Sequence, residues 1–350
     1  MHRIRDALVV STAVFVVMAD GRPLAAQSPA PDRNAESLIT PATEEAINRG
    51  LEYLSRQQGE TDAADGSVGF EKNVAVSALA GLALLSSGSL PGRGPYGCQI
   101  ERIESFICSR ARPDGFILTP EGKRSSGPMY EHGFSTLFLA EMHGVSRRDD
   151  LRDVLAAAVE LILRTQNREG GWRYDPKPSE ADISVTVCQI NALRAARSVG
   201  IAVPAGVIDK AVAYIRECHN DDGGFRYRLQ DPPTSAFGRS AAALVGLHNA
   251  GIHDEPIVED GRRFLWRYIA GDGRAPESYY YYSHFYAALA MWFAGDEQWR
   301  PWYAAIRDEL LARQYEDGSW NSESFGREYA TAMALLVMQL PNDVVPAFQR

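Results

Sequence analysis

The chain has 350 residues, 45% of them hydrophobic, and a formal net charge of −9 from 36 basic and 45 acidic side chains. The sequence has no run of basic residues, so binding to a nucleic-acid backbone has no electrostatic basis and no nucleic-acid partner is expected. The length is sufficient for one large hydrophobic core or for two small domains.

The first 26 residues have the order of a secretory signal peptide. Arg3 and Arg5 precede an apolar run at 7–19, ALVVSTAVFVVMA, and the small residues of PLAA allow cleavage near Ala26. Such a run is short for a membrane span, although a retained N-terminal anchor is the alternative. We therefore expect a signal peptide at 1–26, a disordered linker at 27–42 and a folded domain at 43–350. The protein is expected to be exported to the periplasm or the extracellular space.

Six Ala- and Leu-rich stretches recur along the remaining chain. Five of them end in a glycine that can cap a helix: Gly88, Gly144, Gly200, Gly251 and Gly295. The sixth stops at Pro341. Each stretch is apolar on nearly all sides, which predicts a helix that is buried all round. The nearly regular spacing of the glycines indicates a structural repeat of about 50 residues.

A second kind of helix pattern comes before each of these stretches. Examples are EEAINRGLEYLSRQQ at 44–58 and LRDVLAAAVELILRTQ at 151–166, which carry one apolar stripe and many charges. Apolar residues at i, i+3, i+4 and i+7 bury one face only. Six outer and six inner helices predict an all-α, single-domain fold, a closed (α/α)6 toroid of six helical hairpins. An open solenoid is the alternative, but it predicts polar terminal caps, and the last inner stretch is as apolar as the others.

One motif at the corner between the two helices of a pair occurs twice, as QNREGGW at 166–172 and as QYEDGSW at 314–320. The shared positions are Gln166, Gly170, Trp172, Gln314, Gly318 and Trp320. This frame on an α/α repeat resembles the prenyltransferase and squalene-cyclase repeat superfamily, over roughly 43–340. The resemblance implies that the Gln amide binds the end of a neighbouring helix, while the Trp ring packs between hairpins. We therefore expect these six residues to be structural.

The resemblance also carries expectations about metals. Protein prenyltransferase β-subunits hold zinc with Asp, Cys and His, and His284 stands at the matching helix start. The start of the preceding inner helix, in DPPTSAFGRSAAAL, has no Cys. One His without partners does not form a three-ligand site, so we expect no zinc site and no cofactor. A complement-type thioester is also excluded, because Cys98 directly precedes Gln99 instead of standing three residues before it.

Triterpene cyclases, in the same superfamily, protonate an alkene with an Asp at an inner-helix start. In SEADISVTV, Asp182 stands at this position and Glu180 lies two residues earlier. The neighbouring carboxylate or Cys that makes such an Asp acidic is missing, and those enzymes use two α-barrel domains where this chain has one. The resemblance implies that Asp182 would be the general acid.

Polar and aromatic side chains recur at the predicted starts of the inner helices. Polar groups on otherwise buried helices are costly unless they are paired or used, so this level is the candidate functional site. The candidate catalytic residues are Asp182, Glu131, His132 and His284. The residues expected to line a central cavity are Tyr130, Phe134, Arg239, Tyr279, Tyr282, Tyr286, Arg327 and Glu328.

Three functions remain open. A terpenoid-cyclase-like enzyme would use an aromatic wall to stabilise a cation. A glycan-active hydrolase or lyase would use paired carboxylates from Glu131, Asp182 or Glu328. A non-catalytic binding or scaffold module would recognise a protein or lipid at the mouth. An apolar pocket favours the first, a long acidic groove the second and a plugged axis the third. The expected ligand is an apolar small molecule or a glycan.

Overall fold

The structure, a computed structural model, describes residues 38–59, 65–69, 71–121, 127–270 and 279–350. Across these ranges it contains twelve α-helices and no β-strand. The expected signal peptide and most of the expected linker lie outside the described residues. None of the described helices is both long and apolar enough to cross a membrane.

The helices alternate between an outer and an inner layer. The outer helices are α1 (Pro41–Gly59), α3 (Gly97–Ser109), α5 (Leu151–Thr165), α7 (Ala205–Glu217), α9 (Pro256–Ala270) and α11 (Asp296–Arg313). The inner helices are α2 (Val74–Ser86), α4 (Pro128–Met142), α6 (Ile183–Ser198), α8 (Phe237–Asn249), α10 (Tyr280–Phe293) and α12 (Gly326–Gln339). Two 3₁₀ turns follow, at Leu340–Asn342 and Pro346–Phe348.

The inner helices form a closed ring. Each packs against the next in chain order, and α12 packs against α2 to complete the circle. The predicted (α/α)6 toroid is therefore confirmed, and the open solenoid is wrong. Ring closure places α2 opposite α8, α4 opposite α10 and α6 opposite α12.

The predicted ends of the inner helices agree with the structure, while the start of the first outer helix differs from the expected domain boundary. The five capping glycines have positive φ angles between 84° and 98°, which suit the left-handed cap. Helix α1 begins at Pro41, two residues inside the expected linker. The reason is local: Thr40 Oγ1 accepts a hydrogen bond from the Thr43 N–H at 3.2 Å, and proline is favoured at the first helical position.

Both copies of the repeated corner hold the same hydrogen bonds from glutamine. Gln166 Nε2 donates to the carbonyls of Gly170 at 2.7 Å and Val207 at 2.8 Å. Gln314 Nε2 donates to Gly318 at 3.0 Å and Ala46 at 2.8 Å. Val207 and Ala46 lie in the first two turns of the next outer helix. The glutamines therefore join neighbouring hairpins as expected, near the start of the next outer helix and not at its C-terminal end.

Tryptophan binds the C-terminal end of an outer helix instead. Trp172 Nε1 donates to the Ile162 carbonyl and Trp320 Nε1 to the Leu310 carbonyl, both at 2.8 Å. Each acceptor is among the last four carbonyls of its outer helix, which have no partner inside the helix. Both tryptophan rings are fully buried. In each corner Gln therefore joins the neighbouring hairpin, and Trp binds the C-terminal end of the outer helix before it.

The C-terminal segment covers the far end of the ring. The Trp292 Nε1 donates to the Phe348 carbonyl and Arg194 Nη1 to the Ala347 carbonyl, each at 3.0 Å. Phe348 is buried and meets the ring of Phe285 edge-on, with centroids 5.9 Å apart. The described tail thus closes one end of the toroid and leaves the end with the inner-helix starts as the open one.

Candidate functional site

A cavity of about 810 Å³ occupies the open end of the ring. All six inner helices or the loops just before them contribute to its wall. Nine aromatic rings line it: Tyr130, Phe134, Tyr174, Tyr227, Phe237, Tyr279, Tyr282, Phe325 and Tyr329. Its charged lining residues are Glu71, Glu131, Arg239 and Glu328. The axis is therefore not plugged at this end, and its wall is aromatic with an acidic excess.

Asp182 is completely buried at the start of α6, one layer behind this wall. Its Oδ1 caps the helix by accepting the Val185 N–H at 2.9 Å. Its Oδ2 is buried and accepts no hydrogen bond, although Tyr227 lies close enough to oppose the rise in the pKa. Burial raises the pKa of Asp182 to about 6. The carboxyl group can therefore hold a proton near neutral pH and has one oxygen free to transfer it.

Tyrosines separate Asp182 from the cavity and from the rim. Asp182 lies within electrostatic range of the phenols of Tyr130, Tyr227 and Tyr282, all on the cavity wall. The Tyr227 hydroxyl is 2.5 Å from that of Tyr174, which is 38% exposed. The acid thus lies behind a phenolic layer that reaches the surface through Tyr174.

Glu131 lies on the wall, but its oxygens are engaged. Its Oε2 accepts the Thr119 N–H at 2.7 Å and its Oε1 accepts from Asn73 Nδ2 at 3.3 Å. Asn73 in turn caps α2 through the Ala75 and Val76 N–H groups. Glu131 therefore ties the loop before α4 to the start of α2, which is a structural task at the edge of the cavity.

The two candidate histidines do not line the cavity. His132 is fully buried, its Nδ1 accepts the Ile117 N–H at 3.2 Å and its Nε2 is 2.9 Å from the Ala158 carbonyl. Both nitrogens are thus occupied by backbone groups near α5, and burial lowers the pKa of His132 to about 4. The geometry gives this histidine a structural role instead of the expected catalytic one.

His284 lies in an aromatic cluster between α10 and its neighbours. Its ring centroid is 4.4 Å from that of Tyr280 and 5.6 Å from that of Phe237. Both ring nitrogens are buried without a hydrogen-bond partner, and burial lowers the pKa of His284 to about 3. Across the described residues, no group of three or more His, Cys, Asp or Glu side chains could hold a metal ion. The structure therefore gives no geometric support for His284 as a catalyst.

The two arginines bind backbone and surface groups. Arg239, on the cavity wall, donates to the carbonyls of Phe225 at 3.1 Å and Thr234 at 2.7 Å. Arg327 turns away from the cavity and pairs with Asp317 at 2.6 Å. The expectation that Arg327 lines the cavity is wrong, because its neighbour Glu328 takes the inward position.

The tyrosines at the start of α10 differ in depth. Tyr279 and Tyr282 line the cavity, as expected. Tyr286 does not, because it lies one turn deeper and is fully buried against the Tyr282 ring, with centroids 4.8 Å apart. The hydroxyls of Tyr282 and Tyr286 are buried without a hydrogen-bond partner. The inner end of the cavity on this side is therefore aromatic with two unsatisfied phenols.

Several residues of the cavity wall were not predicted from the sequence. Tyr174 lies in the loop just after the corner at 166–172, and Tyr227 lies in the loop between α7 and α8, both outside any helix. Others include Glu71, Asn73, Phe237, Phe325 and Tyr329. The signal that could have found them is the short distance in sequence from each Gly-rich corner to the next inner helix, since that segment must pass the mouth.

Comparison with known proteins places this geometry among toroidal repeat proteins. No protein-family model matches the chain. Drimenyl diphosphate synthase from Streptantibioticus cattleyicolor is 24% identical over 310 residues, which are 81% of this chain and 53% of that protein. Squalene–hopene cyclase from Zymomonas mobilis is 26% identical over 172 residues, 45% of this chain and 25% of that protein. The chain thus spans about half or less of the length of these curated relatives.

Solved structures match over nearly their whole length. A type II terpene cyclase from Scytonema covers 87% of this chain and 98% of its own, with a TM-score of 0.58 and 15% identity. Cellobiose 2-epimerase from Bacillus thermoamylovorans covers 85% and 98%, with a TM-score of 0.63 and 11% identity. An α-1,6-mannanase of Salegentibacter covers 86% and 99%, with a TM-score of 0.63 and 8% identity. The chain is therefore similar in sequence to squalene-cyclase-type proteins and has the α/α-toroid fold that a terpene cyclase shares with glycan-active enzymes.

Proposed function

We propose that the protein is a terpenoid cyclase that folds an isoprenoid chain in the central cavity and starts the reaction with Asp182 as general acid. The observation that carries this proposal is the Asp182 carboxyl itself. It is buried, has a free oxygen, has a pKa of about 6 and lies directly behind an aromatic wall. A general acid works best when its pKa lies near the operating pH.

The chemistry follows from the wall. Asp182 donates its proton to one carbon of an alkene, the π electrons form the new C–H bond and a carbocation is left on the other carbon. Nine aromatic rings line the cavity, and aromatic rings stabilise such a cation through their electron-rich faces. The free Oδ2 must reach the cavity between the Tyr130, Tyr227 and Tyr282 rings, so movement of one of these side chains accompanies the transfer.

The comparisons support the substrate class. The curated relatives are named for drimenyl diphosphate synthesis and squalene cyclisation. The Scytonema cyclase has been solved with merosterolic acid A and with geranylgeranyl dihydroxybenzoate. A cavity of about 810 Å³ is within the range of pockets that enclose ligands of this size.

A glycan-active enzyme is the second candidate. It is favoured by Glu71, Glu131 and Glu328 on the wall and by the epimerase and mannanase folds. The mannanase has been solved with α-1,6-mannotriose. Against it, the oxygens of Glu131 are engaged by Thr119 and Asn73, and the cavity is a closed-ended pocket instead of a long groove. A scaffold without a ligand is disfavoured because the axis is open.

We also propose that the chain is exported after cleavage near Ala26, on the order of charged, apolar and small residues at its N-terminus. The test is N-terminal sequencing of the protein recovered from an exporting host. A start within a few residues of Gln27 is expected. An intact Met1 in a membrane fraction would support the retained anchor instead.

The first experiment on the activity is native mass spectrometry of the purified protein, followed by incubation with squalene, farnesyl diphosphate and geranylgeranyl dihydroxybenzoate. A retained apolar mass of a few hundred daltons and cyclic products by gas chromatography are expected. Asp182→Asn should abolish the products. Conversion of a polysaccharide panel with no conversion of any isoprenoid would replace the cyclase by the glycan-active candidate.

A further inference from the structure

Charge is distributed unevenly around the cavity. Glu131 on α4 and Glu328 on α12 belong to the two inner helices that flank α2, and Glu71 lies in the loop just before α2. Arg239 lies on α8, directly across the ring. We call Glu71, Glu131 and Glu328 the acidic arc. One wall of the cavity is therefore anionic and the facing wall cationic.

The acid proposed to start the reaction is separated from part of this arc by the width of the ring. Asp182 caps α6, and α6 faces α12, whose first turn carries Glu328. Both residues occupy the level of the inner-helix starts. Asp182 and Glu328 therefore lie on opposite sides of the ring, with Glu328 on the cavity wall and Asp182 behind it.

The three glutamates are not equally available. The oxygens of Glu131 are engaged by Thr119 and Asn73. Glu71 is exposed on its loop. Glu328 is half-buried on the wall, and the Tyr53 hydroxyl donates to its Oε1 from 3.5 Å, the outer limit of a hydrogen bond. Glu328 thus lines the cavity, and its carboxylate is only weakly hydrogen-bonded.

We propose that Glu328 is the base that ends the cyclisation, an inference that rests on the proposed cyclase function. The proton added by Asp182 creates the carbocation at one side of the cavity. At the other side, a C–H bond next to the final cationic carbon breaks, its electrons form a C=C bond and the proton passes to the Glu328 carboxylate. The substrate is isomerised overall. Solvent then accepts the proton from Glu328 and supplies one to Asp182.

The positions of Asp182 and Glu328 on opposite sides of the ring have a physical reason. Asp182 is left as a carboxylate beside the first cation, and a second base at this place would favour loss of a proton to an uncyclised alkene. Asp182 has its Oδ1 engaged by the Val185 N–H, whereas the acidic arc attracts positive charge towards the far wall in a site of low dielectric. Because the acid and the base lie on opposite sides, the positive charge can move along the isoprenoid substrate before the substrate loses a proton.

The first test compares product profiles for Glu328→Gln, Glu131→Gln and Glu323→Gln with the three isoprenoids named above. Glu323 is exposed near the same helix start and does not line the cavity, so it is the matched control. Glu328→Gln should shift products to early-terminated alkenes and water-quenched alcohols, while Glu323→Gln should keep the wild-type profile. An unchanged profile in Glu328→Gln would overturn the proposal while leaving Asp182 as the acid.

The second test does not need turnover. N,N-dimethyldodecylamine is protonated at neutral pH and mimics a cation on an apolar chain, while 1-dodecanol is its neutral counterpart. Glu328→Gln should weaken amine binding in calorimetry about tenfold, with dodecanol binding within twofold of wild type. An equal loss for both probes, or a larger loss in Glu131→Gln, contradicts the assignment. If Asp182→Asn turns over all substrates normally, the cyclase proposal itself fails, whatever the amine shows.

Discussion

The carboxyl group of Asp182 accepts the Val185 N–H at 2.9 Å through one oxygen while its other oxygen is buried without a hydrogen bond. A cap requires only the first oxygen. The second is an uncompensated polar atom in the interior, and such atoms normally destabilise the fold. The capping role of Asp182 and its proposed catalytic role therefore use different oxygens and can be tested separately.

The activity should depend on protonated Asp182. Because burial raises the pKa of Asp182 to about 6, the rate should be highest below this pH and fall about tenfold per unit above it. Asp182→Asn should reduce kcat by at least about 100-fold at all pH values. The measurement is the initial rate of product formation between pH 4.5 and 8.5. A rate that rises through pH 6 would contradict the general-acid role.

The same substitution should not harm folding. Asn is as good a helix cap as Asp, and the raised pKa means that the folded state binds this proton more tightly than the unfolded chain. Ionisation of Asp182 therefore costs stability progressively from about pH 4 to pH 6 and fully above pH 6. Removing the charge should raise the free energy of unfolding by about 1–3 kcal/mol at pH 7.5. Urea unfolding at pH 4 and pH 7.5 measures it, with the gain expected only at pH 7.5.

Tyr227 should hold down the pKa of the acid. Burial is the main cause of the raised pKa of Asp182, and the nearby Tyr227 hydroxyl opposes it. Tyr227→Phe should therefore move the alkaline limb of the rate profile to higher pH, by about half to one unit. Tyr174→Phe, which removes only the outer hydroxyl of the pair at 2.5 Å, is the control and should shift it less. A downward shift in Tyr227→Phe would be inconsistent with this arrangement.

The two buried histidines should respond oppositely to substitution. His132→Ala leaves the Ile117 N–H and the Ala158 carbonyl without partners and should cost about 2–4 kcal/mol of unfolding free energy. His284→Leu removes two unsatisfied nitrogens at similar volume and should be neutral or stabilising. Because the pKa of His132 is lowered to about 4, its contribution is complete above about pH 6.5 and is lost as the pH falls towards 4. Thermal unfolding at pH 5 and pH 7.5 compares the variants.

The corner glycine Gly170 and the capping glycine Gly200 should differ in the cost of an added side chain. Gly170 and Gly200 both have positive φ, 99° and 84°. A Cβ at Gly170 would lie 2.2 Å from the Lys210 carbonyl oxygen, whereas at Gly200 nothing lies within 4 Å. Gly200→Ala should cost about 1–2 kcal/mol from backbone strain alone. Gly170→Ala should cost about 1–3 kcal/mol more. Equal melting temperatures for the two variants would show that the corner can move away from α7.

The sequence by itself determined the repeat and the twelve helices, and it favoured a closed ring over an open solenoid. Periodicity separated striped outer helices from helices buried all round, and glycine marked the ends of five inner helices, because these signals depend on local backbone and burial preferences. It also located the polar level at the inner-helix starts and Asp182 at the start of α6. The sequence also predicted a structural role for the Gln–Gly–Trp corners. It assigned the contact with the C-terminal end of a helix to Gln, whereas Trp makes this contact.

Only the tertiary structure decided which side chains at that level face the cavity. An inner helix that is apolar all round carries no phase in its sequence, so neighbours such as Glu131 and His132, or Arg327 and Glu328, could not be ranked. Glu131 and Glu328 reach the cavity, while His132 is held by backbone groups near α5 and Arg327 by Asp317. The rotation of each inner helix about its own axis is fixed by packing against two inner neighbours and an outer helix.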